Sequence, residues 1–501
     1  MISVFQSGTL PPCPSPFNLA AYVLAKGEQT PDKIALSVLG EAEWSYSRLI
    51  AAVRGTATGL LEAGLEPGDR VFMRLGNTVD FPLAYLGALA AGLVPVPTSS
   101  ALTKREVAPM IKTINPALIL HDAAVECPDD SRIMPLEALR KMRDLPPAPW
   151  HMGDPERAGY IIYTSGTSGK PRAVVHAHRA IWARQMMFTD WYGLTPQERL
   201  LHAGAFNWTY TLGTGLMDPW TIGATALIPA AGTLATELPA LIAAHEASIF
   251  AAAPGVYRQL LNQEEIAPMP HLRHGLSAGE KIPPAVCARW EAATGTRVFE
   301  AYGMSECSTF ISSSPRNPTA TDVLGRPQAG RHIALLGDDG PVPRGSEGTI
   351  AVHRDDPGLM LGYLDAPDET AAKMRGDWFL TGDQGSMDAE DQITYLGRND
   401  DMMNAGGFRV SPVEVEACLA RYDGITAVGA AEVQVKQDVR VIAAFYTSAA
   451  ALDEEALRLY AQDNLARYKQ PRLYIHVPDL PMGANGKILR ARLRQQFEAS
   501  R

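Results

Sequence analysis

Only five cysteines occur in 501 residues, at positions 13, 127, 287, 307 and 418, and no two form a CxxC pair. That scatter excludes a disulfide framework and a zinc knuckle, and it fits a reducing cytoplasm. A basic surplus is also missing: 45 Lys and Arg face 55 Asp and Glu, a net charge of −10. Without a basic run or an aromatic–basic stripe, neither nucleic acid nor an anionic membrane is an expected partner. The start, MISVFQSGTLPPCPSPFNLA, has no basic n-region and no unbroken apolar stretch, so it does not read as a signal peptide. The best membrane candidate is the uncharged segment 81–102, which carries Pro82, Pro95 and Pro97 and ends in polar residues. A spanning helix needs about 20 predominantly apolar residues, so a buried helix followed by a strand is expected instead. His176 and His178 are the only closely paired histidines, and no Cys, Asp or Glu completes a metal-ligand pattern near them. No zinc site is expected. GxSxG, and a GxGxxG opening a strand–helix unit, are absent too, so hydrolase and dinucleotide readings lack support.

What is present is an ordinary globular composition, 46% hydrophobic and 20% charged. The length accommodates about three domains of roughly 150 residues each. The 43 glycines and 38 prolines sit singly between periodic segments, as punctuation. An amphipathic helix over 46–64 stops at Gly64, a strand follows at 69–75, and the apolar helix 80–91 feeds the strand LVPVP. The same grammar recurs with helices around 178–190 and 210–219 before the strand ATALIP, then ELPALIAAHEA, SIFAAAP and VYRQLLNQ. Such alternation predicts an α/β fold with mostly parallel, helix-flanked sheets. After about residue 320 the pattern changes to short strands between turns (GRHIALLG, EGTIAVH, WFLTGD, QITYLG), which predicts an antiparallel subdomain. The last hundred residues read as helix 412–421, strands within 427–447, helix 453–466 and strand 472–477, a small α+β domain joined near GRNDD, 397–401.

The densest chemistry lies in YIIYTSGTSGKPRAVVHAHRA, 160–180. A β-rich run ends at Thr164 and enters the loop Ser165-Gly166-Thr167-Ser168-Gly169-Lys170. Small residues let the backbone approach an anion, and hydroxyls with N–H groups can donate to phosphate oxygens. Lys170 adds a mobile positive charge. This is not a Walker A loop, which would need Gly at 164 and Ser or Thr at 171, where the chain has Thr164 and Pro171. Pro171 also disfavours a helix starting at the lysine. Glu306, in AYGMSECST (301–309), could join Mg²⁺ to phosphate, or be a surface or capping acid. Asp383, in WFLTGDQG (378–385), could take both hydroxyls of a ribose, or form only an Asx turn. SAGE, 277–280, offers a tight turn able to pack against a flat base. Lys487 follows the Asn485-Gly486 turn in PMGANGKILR (481–490), and GGFRVSPVEVE (406–416) sets two glycines before the helix start Ser411-Pro412.

Together these segments resemble the adenylate-forming superfamily of acyl-CoA synthetases, adenylation domains and firefly-type luciferases. YTSGTSGKP (163–171), YGMSE (302–306), TGD (381–383), GRNDD (397–401), GGFRVSPVEVE (406–416) and GANGKILR (483–490) match its signatures in order, over nearly the whole chain. The stretches 361–385 and 206–227 look most like the acetyl-, medium-chain acyl- and benzoyl-CoA synthetase branch.

The resemblance implies a large domain, 1–397, of two mixed, mostly parallel helix-flanked sheets plus the antiparallel β subdomain. A hinge at 398–400, pivoting on Asp400, would join it to a mobile α+β domain, 401–501. It implies an acid–thiol ligase in which ATP adenylates a carboxylic acid, pyrophosphate leaves, and coenzyme A takes the acyl group from acyl-AMP with Mg²⁺ as cofactor. Thr164, Ser165, Gly166, Thr167, Ser168, Gly169 and Lys170 would hold the β,γ-phosphates. Ser277, Ala278, Gly279, Glu280, Tyr302 and Gly303 would lie near adenine, and Ser305 would meet the α-phosphate. Glu306 would bind Mg²⁺, Asp383 and Arg398 the ribose, and Lys487 would catalyse adenylation. Gly406 and Gly407 would flank the pantetheine channel. The acyl pocket would use Phe206, Asn207, Trp208, Gly303 and Met304.

The stretch 205–214 holds three aromatics and no charge, which points to a small-to-medium or single-ring aromatic monocarboxylate. No Asp stands among 206–208 to pair a substrate ammonium, which disfavours amino acids. Some positions depart from the family. Ser305 stands where many relatives have Thr, a change between two hydroxyls. The lysine motif reads Pro481-Met482-Gly483, and 430–445 lacks the usual proline–aspartate turn, which leaves the residues binding the CoA phosphates unassigned. Two alternatives stay open: transfer to a carrier-protein phosphopantetheine, or a catalytically inactive nucleotide-binding scaffold. A cytoplasmic location is expected, and the oligomeric state is left open.

Overall fold

Strands and helices alternate through the first 300 residues, as the periodicity predicts. The computed structural model describes residues 1–499 apart from 41, 165–170, 264, 321–322, 400, 406–407, 437–438 and 484–487. The chain divides into two compact units. One comprises Gln6–His332 with His353–Phe379, the other Met1–Phe5, Ile333–Val352 and Leu380–Arg501.

The larger unit is built on a nine-stranded sheet. Its strand order is Arg326–Pro327, Ser308–Ser312, Val298–Met304, His274–Ala278, Ile249–Ala252, Arg199–His202, Thr225–Pro229, Ile34–Leu39 and Glu43–Ser45. The six strands from Val298–Met304 to Ile34–Leu39 run parallel, and only the two ends turn antiparallel. Central strands covered on both faces must be apolar, and the run IFAA is so for that reason. A second, all-parallel sheet orders Val94–Pro97, Arg70–Arg74, Leu118–His121 and Ile133–Pro135.

Two helices show how the segments pack. Tyr46–Glu62 starts at Ser45, whose side chain accepts from the Arg48 N–H, and buries Leu49, Val53, Thr56 and Leu60 at helical spacing. Asp80–Ala90 is buried on every side and leads into Val94–Pro97, so the apolar segment is an internal helix and strand. The two helices close on small residues: a Cβ at Gly87 would stand 2.7 Å from Thr56. No helix among the described residues is long and apolar enough to cross a membrane.

Two helical expectations are corrected. The helix predicted around 178–190 is a chain of short pieces, Ala180–Ala183 and Gln185–Met187, running into a π-helical turn at Phe188–Tyr192. That predicted around 210–219 is π-helical over Thr211–Met217 before the α-turn Asp218–Thr221. The wider turns belong to a buried polar network described below, which the apolar periodicity could not reveal.

The predicted antiparallel strands His332–Gly337, Glu347–His353, Trp378–Met387 and Ile393–Arg398 lie mostly in the smaller unit. Its first residues join this sheet region, with the Ser3 N–H donating to the Val342 carbonyl at 2.7 Å and the Leu335 N–H to the Ser3 carbonyl at 2.9 Å. The strands Ala427–Lys436, Val439–Thr447 and Leu473–His476 form a separate sheet beside the helices Pro412–Leu419 and Glu454–Asn464. All five cysteines are free thiols.

Candidate active site

Ser165, Gly166, Thr167, Ser168, Gly169, Lys170, Asp400, Gly406, Gly407 and Lys487 lie outside the described residues. The frame around several of them is described. The hairpin Ala158–Thr164 and Arg172–Ala177 flanks the loop, with Thr164 opposite Arg172 in register. A third short strand, Gly362–Tyr363, pairs with the second arm, Tyr363 lying opposite Val174. This edge strand delivers Tyr363 to the expected metal ligand: its hydroxyl donates to Glu306 Oε1 at 2.8 Å. The Met360 N–H donates to the Glu306 carbonyl at 2.8 Å. The Arg172 guanidinium lies 5.2 Å from the centre of the Tyr363 ring. Burial, reinforced by Glu306, pushes the Tyr363 phenol above its ordinary pKa, so it serves as a donor at neutral pH. Sequence reasoning singled out Glu306 but not Tyr363, which stands 57 residues further on.

Ser305, Glu306 and Cys307 form the turn between Val298–Met304 and Ser308–Ser312. The turn is tight enough to need glycine at 303, where a Cβ would fall 2.1 Å from the Ser308 carbonyl oxygen. Ser308 itself takes a left-handed φ of 63°, uncommon for a residue with a Cβ. His176 holds one side of the turn, its Nε2 lying 2.7 Å from the Ser305 carbonyl. That contact makes Nε2 the donor, and burial pushes the ring pKa down to about 4, so the imidazole is neutral. His178 is buried elsewhere, its Nδ1 accepting from the Leu19 N–H at 3.0 Å.

Behind the turn lies a buried ion pair. Arg184 donates from Nε to Asp218 Oδ1 at 2.8 Å and from Nη2 to Oδ2 at 2.6 Å, and both side chains are almost wholly excluded from solvent. Tyr192 donates to Asp218 Oδ2 at 2.7 Å and lies 2.8 Å from the Thr214 hydroxyl. Arg184 Nη1 reaches the Ser308 hydroxyl. The π-helical turns supply Tyr192 and Thr214, and Asp218 follows directly on the second. Gly213 makes room, since a Cβ there would stand 2.2 Å from the guanidinium. Burial alone would lower the Arg184 pKa, but Asp218 outweighs it and holds the group charged. Tyr85, Tyr160, His176, Arg184, Thr209, Leu212, Ser305 and Ser308 are among the residues lining a cavity of about 10 Å³ beside the turn. Arg184 enters the wall from a segment outside 205–214, and Asp218 balances its charge.

Of the remaining residues expected near base and acyl group, Ala278 and Tyr302 lie on neighbouring parallel strands, with Ala278 opposite Ala301. Ser277 and Ala278 end the strand His274–Ala278, with Gly279 beyond it at φ 95°. A Cβ on Gly279 would stand 2.6 Å from the Trp208 ring, so the indole packs on that glycine. Trp208 meets Tyr210 edge to face at 5.3 Å. Phe206 is buried in the main core against Phe81, ring centres 5.8 Å apart, while Asn207 is half-buried. Glu280 lies 3.8 Å from Arg258. Tyr302 is half-buried and edge to face with Phe310 at 5.3 Å, and Met304 ends its strand.

In the smaller unit, Asp383 and Arg398 are opposite each other across paired strands. Their closest approach is 3.7 Å, and the Tyr395 hydroxyl reaches Asp383 Oδ1 at 3.4 Å. The Asp383 N–H donates to the Thr381 hydroxyl at 3.0 Å, fixing the TGD turn. Nearby, Arg490 bonds Glu416 at 2.7 Å and Asp401 at 3.2 Å. Ser411 caps the helix Pro412–Leu419 as predicted.

This arrangement has relatives. The mitochondrial acyl-coenzyme A synthetase ACSM2 of Rattus norvegicus is 28% identical over 527 residues, covering 96% of this chain and 92% of its own. The 3-hydroxybenzoate–CoA ligase of Aromatoleum sp. (strain CIB) is 28% identical, covering 92% of this chain and 93% of its own. The crystal structure of a benzoate CoA ligase from Burkholderia xenovorans LB400 superposes with a TM-score of 0.85 at 26% identity, covering 95% of this chain and all of that one. The sequence profile described as AMP-binding enzyme matches residues 24–364, more than half the chain, and the protein belongs to that family.

Proposed function

We propose that this chain is an AMP-forming carboxylate–CoA ligase. Its acid would be a small-to-medium or single-ring aromatic monocarboxylate, activated by ATP as acyl-AMP and passed to coenzyme A. The observation that carries the reading is the Tyr363–Glu306 contact, which holds a carboxylate at the edge of the hairpin flanking the 165–170 loop.

The physical problem is the approach of two anions, carboxylate and triphosphate. The loop Thr164–Lys170 would take the β,γ-phosphates, and Ser305 would meet the α-phosphate. Lys487 would neutralise charge that grows at the α-phosphorus as the acid oxygen attacks. Pyrophosphate leaves, and the mixed anhydride stores the activation. The thiol then attacks the carbonyl carbon and AMP departs, with no covalent intermediate on the protein. Asp383 and Arg398 would hold the ribose hydroxyls, and the 277–280 turn with Tyr302 and Gly303 would hold adenine. Glu306 fits a Mg²⁺ site: Tyr363 engages Oε1, and Mg²⁺ commonly takes one or two carboxylates beside water and phosphate oxygens. When bound there, the ion would withdraw charge from the phosphates.

Phe206, Asn207, Trp208, Gly303 and Met304 would shape the acyl end. Residues 401–501 would alternate between an adenylating and a thioester-forming pose about 398–400, with Gly406 and Gly407 beside the pantetheine. The test is pyrophosphate release with ATP and Mg²⁺ across acetate, butyrate, hexanoate, benzoate, malonate, phenylalanine and palmitate, then thioester formation on adding CoA. Release with benzoate or hexanoate supports the reading. The highest kcat/KM for malonate, phenylalanine or palmitate overturns the substrate class.

A further inference from the structure

The mostly apolar cavity beside the Ser305 turn is also lined by two strongly polar side chains, His176 and Arg184. His176 is only 2% exposed, and with Nε2 committed to the Ser305 carbonyl its Nδ1 is a bare acceptor. That nitrogen is fully buried without a hydrogen-bond partner among the described residues. Arg184 lines the same cavity. Its Nε and Nη2 are used by Asp218, Tyr192 and Thr214, and Nη1 gives one bond to Ser308. A guanidinium Nη carries two hydrogens, so one N–H of Nη1 has no assigned acceptor. The residues that carry this buried acceptor and this donor both line one space about the size of a single water.

The matching group must accept from a guanidinium and donate to an imidazole nitrogen. A hydroxyl does both. A methyl or ring C–H does neither, and burying it there would leave both protein groups unpaired. A second carboxylate cannot donate to Nδ1, and Asp218 already balances the positive charge that would attract it. The cavity also touches Ser305 and Thr209, the latter next to Trp208, so it adjoins the expected acyl end.

Resting on the ligase reading above, we infer that His176 and Arg184 form a subsite for a hydroxyl carried by the acid, so that the substrate is a hydroxylated monocarboxylate. The hydroxyl would replace one water while reproducing its hydrogen bonds, which conserves affinity. Sites built to bond a substrate hydroxyl reject analogues lacking it far more strongly than apolar pockets reject a missing methylene.

The experiment compares kcat/KM for pyrophosphate release with benzoate, the three hydroxybenzoates and the three toluates, and with hexanoate and 6-hydroxyhexanoate. A toluate matches the hydroxy acid in size but cannot hydrogen-bond. The best hydroxy acid is expected to exceed its methyl and unsubstituted counterparts by about 10²-fold or more. His176→Gln keeps an amide N–H for the Ser305 carbonyl and removes the Nδ1 acceptor. It is expected to reduce the hydroxyl-to-methyl ratio about tenfold or more, a ratio that does not depend on how much of the variant is folded. Equal or better turnover of the methyl or unsubstituted acids overturns the subsite and leaves the ligase reading standing. So does an unchanged ratio in His176→Gln. If no acid releases pyrophosphate, the ligase reading fails and the subsite with it.

Discussion

Lys487 and Tyr363 illustrate opposite ways for a single residue to matter. A lysine after an Asn-Gly turn is unremarkable alone, and its assignment rests on the motif around it. If it neutralises charge at the α-phosphorus, Lys487→Ala should slow pyrophosphate release by roughly 10² or more. The same variant should still convert supplied acyl-AMP and CoA to thioester. Equal losses in the two half-reactions, measured separately, would remove the role. Tyr363 carries no motif signal, and only the pairing of Gly362–Tyr363 with Arg172–Ala177 gives its hydroxyl a task.

The same contrast governs what could be read from the sequence. Glu306, Asp383 and the 164–170 loop stand out as candidates in the sequence because their residue types are chemically specific and their motifs contiguous. Arg184, Tyr192 and Asp218 were not, since each sits among ordinary helical neighbours and the pairing spans 34 residues. Their significance lies in a contact that no local pattern encodes.

At the scale of elements, the turn between Val298–Met304 and Ser308–Ser312 is tightly constrained. A Cβ at 303 would meet backbone at 2.1 Å, where no side chain can rotate away. Gly303→Ala must therefore shift Ser308, whose φ is already left-handed. We expect a loss of about 1–3 kcal/mol of stability, as in overpacked cores, together with lower adenylation. Urea unfolding beside pyrophosphate release would check both, and an unchanged midpoint with full activity would contradict the packing argument. The parallel strands and the helix Tyr46–Glu62 were legible from periodicity, while the π-helical turns were not. Their apolar spacing mimics an α-helix, and the extra width is set by the buried Arg184–Asp218 pair.

For the whole molecule, two expectations can be measured. Asp400→Pro fixes φ near −65°, and if the chain pivots at 398–400 it should block one pose. Single-turnover pyrophosphate release should persist while thioester formation falls, and a hinge elsewhere would leave both steps intact. The second concerns acid stability. Burial lowers His176 and His274 to about 4 and His178 and His202 to about 3. In the unfolded chain each titrates near 6.5, so between about pH 6.5 and these values the unfolded state binds more protons. Their contribution is full above pH 6.5 and is lost as pH falls through that window. Tm should drop between pH 7 and 5, and a Tm that is level across that range would show that the imidazoles are not held neutral.

The bonds of Ser3 to Val342 and Leu335 also set a schedule. Ser3 and Pro343, which are likewise bonded, stand 340 residues apart. At roughly 5–20 residues per second on the ribosome, Ser3 waits on the order of 20–70 s for its partners to be made. Throughout that interval its native backbone partners at 335 and 342 do not yet exist. The larger unit, Gln6–His332, draws all but the insertion His353–Phe379 from one uninterrupted stretch and can begin to collapse meanwhile. Assembly of the smaller unit is thus tied to the synthesis of 333–352 and 380–501, although Met1–Phe5 are made long before them.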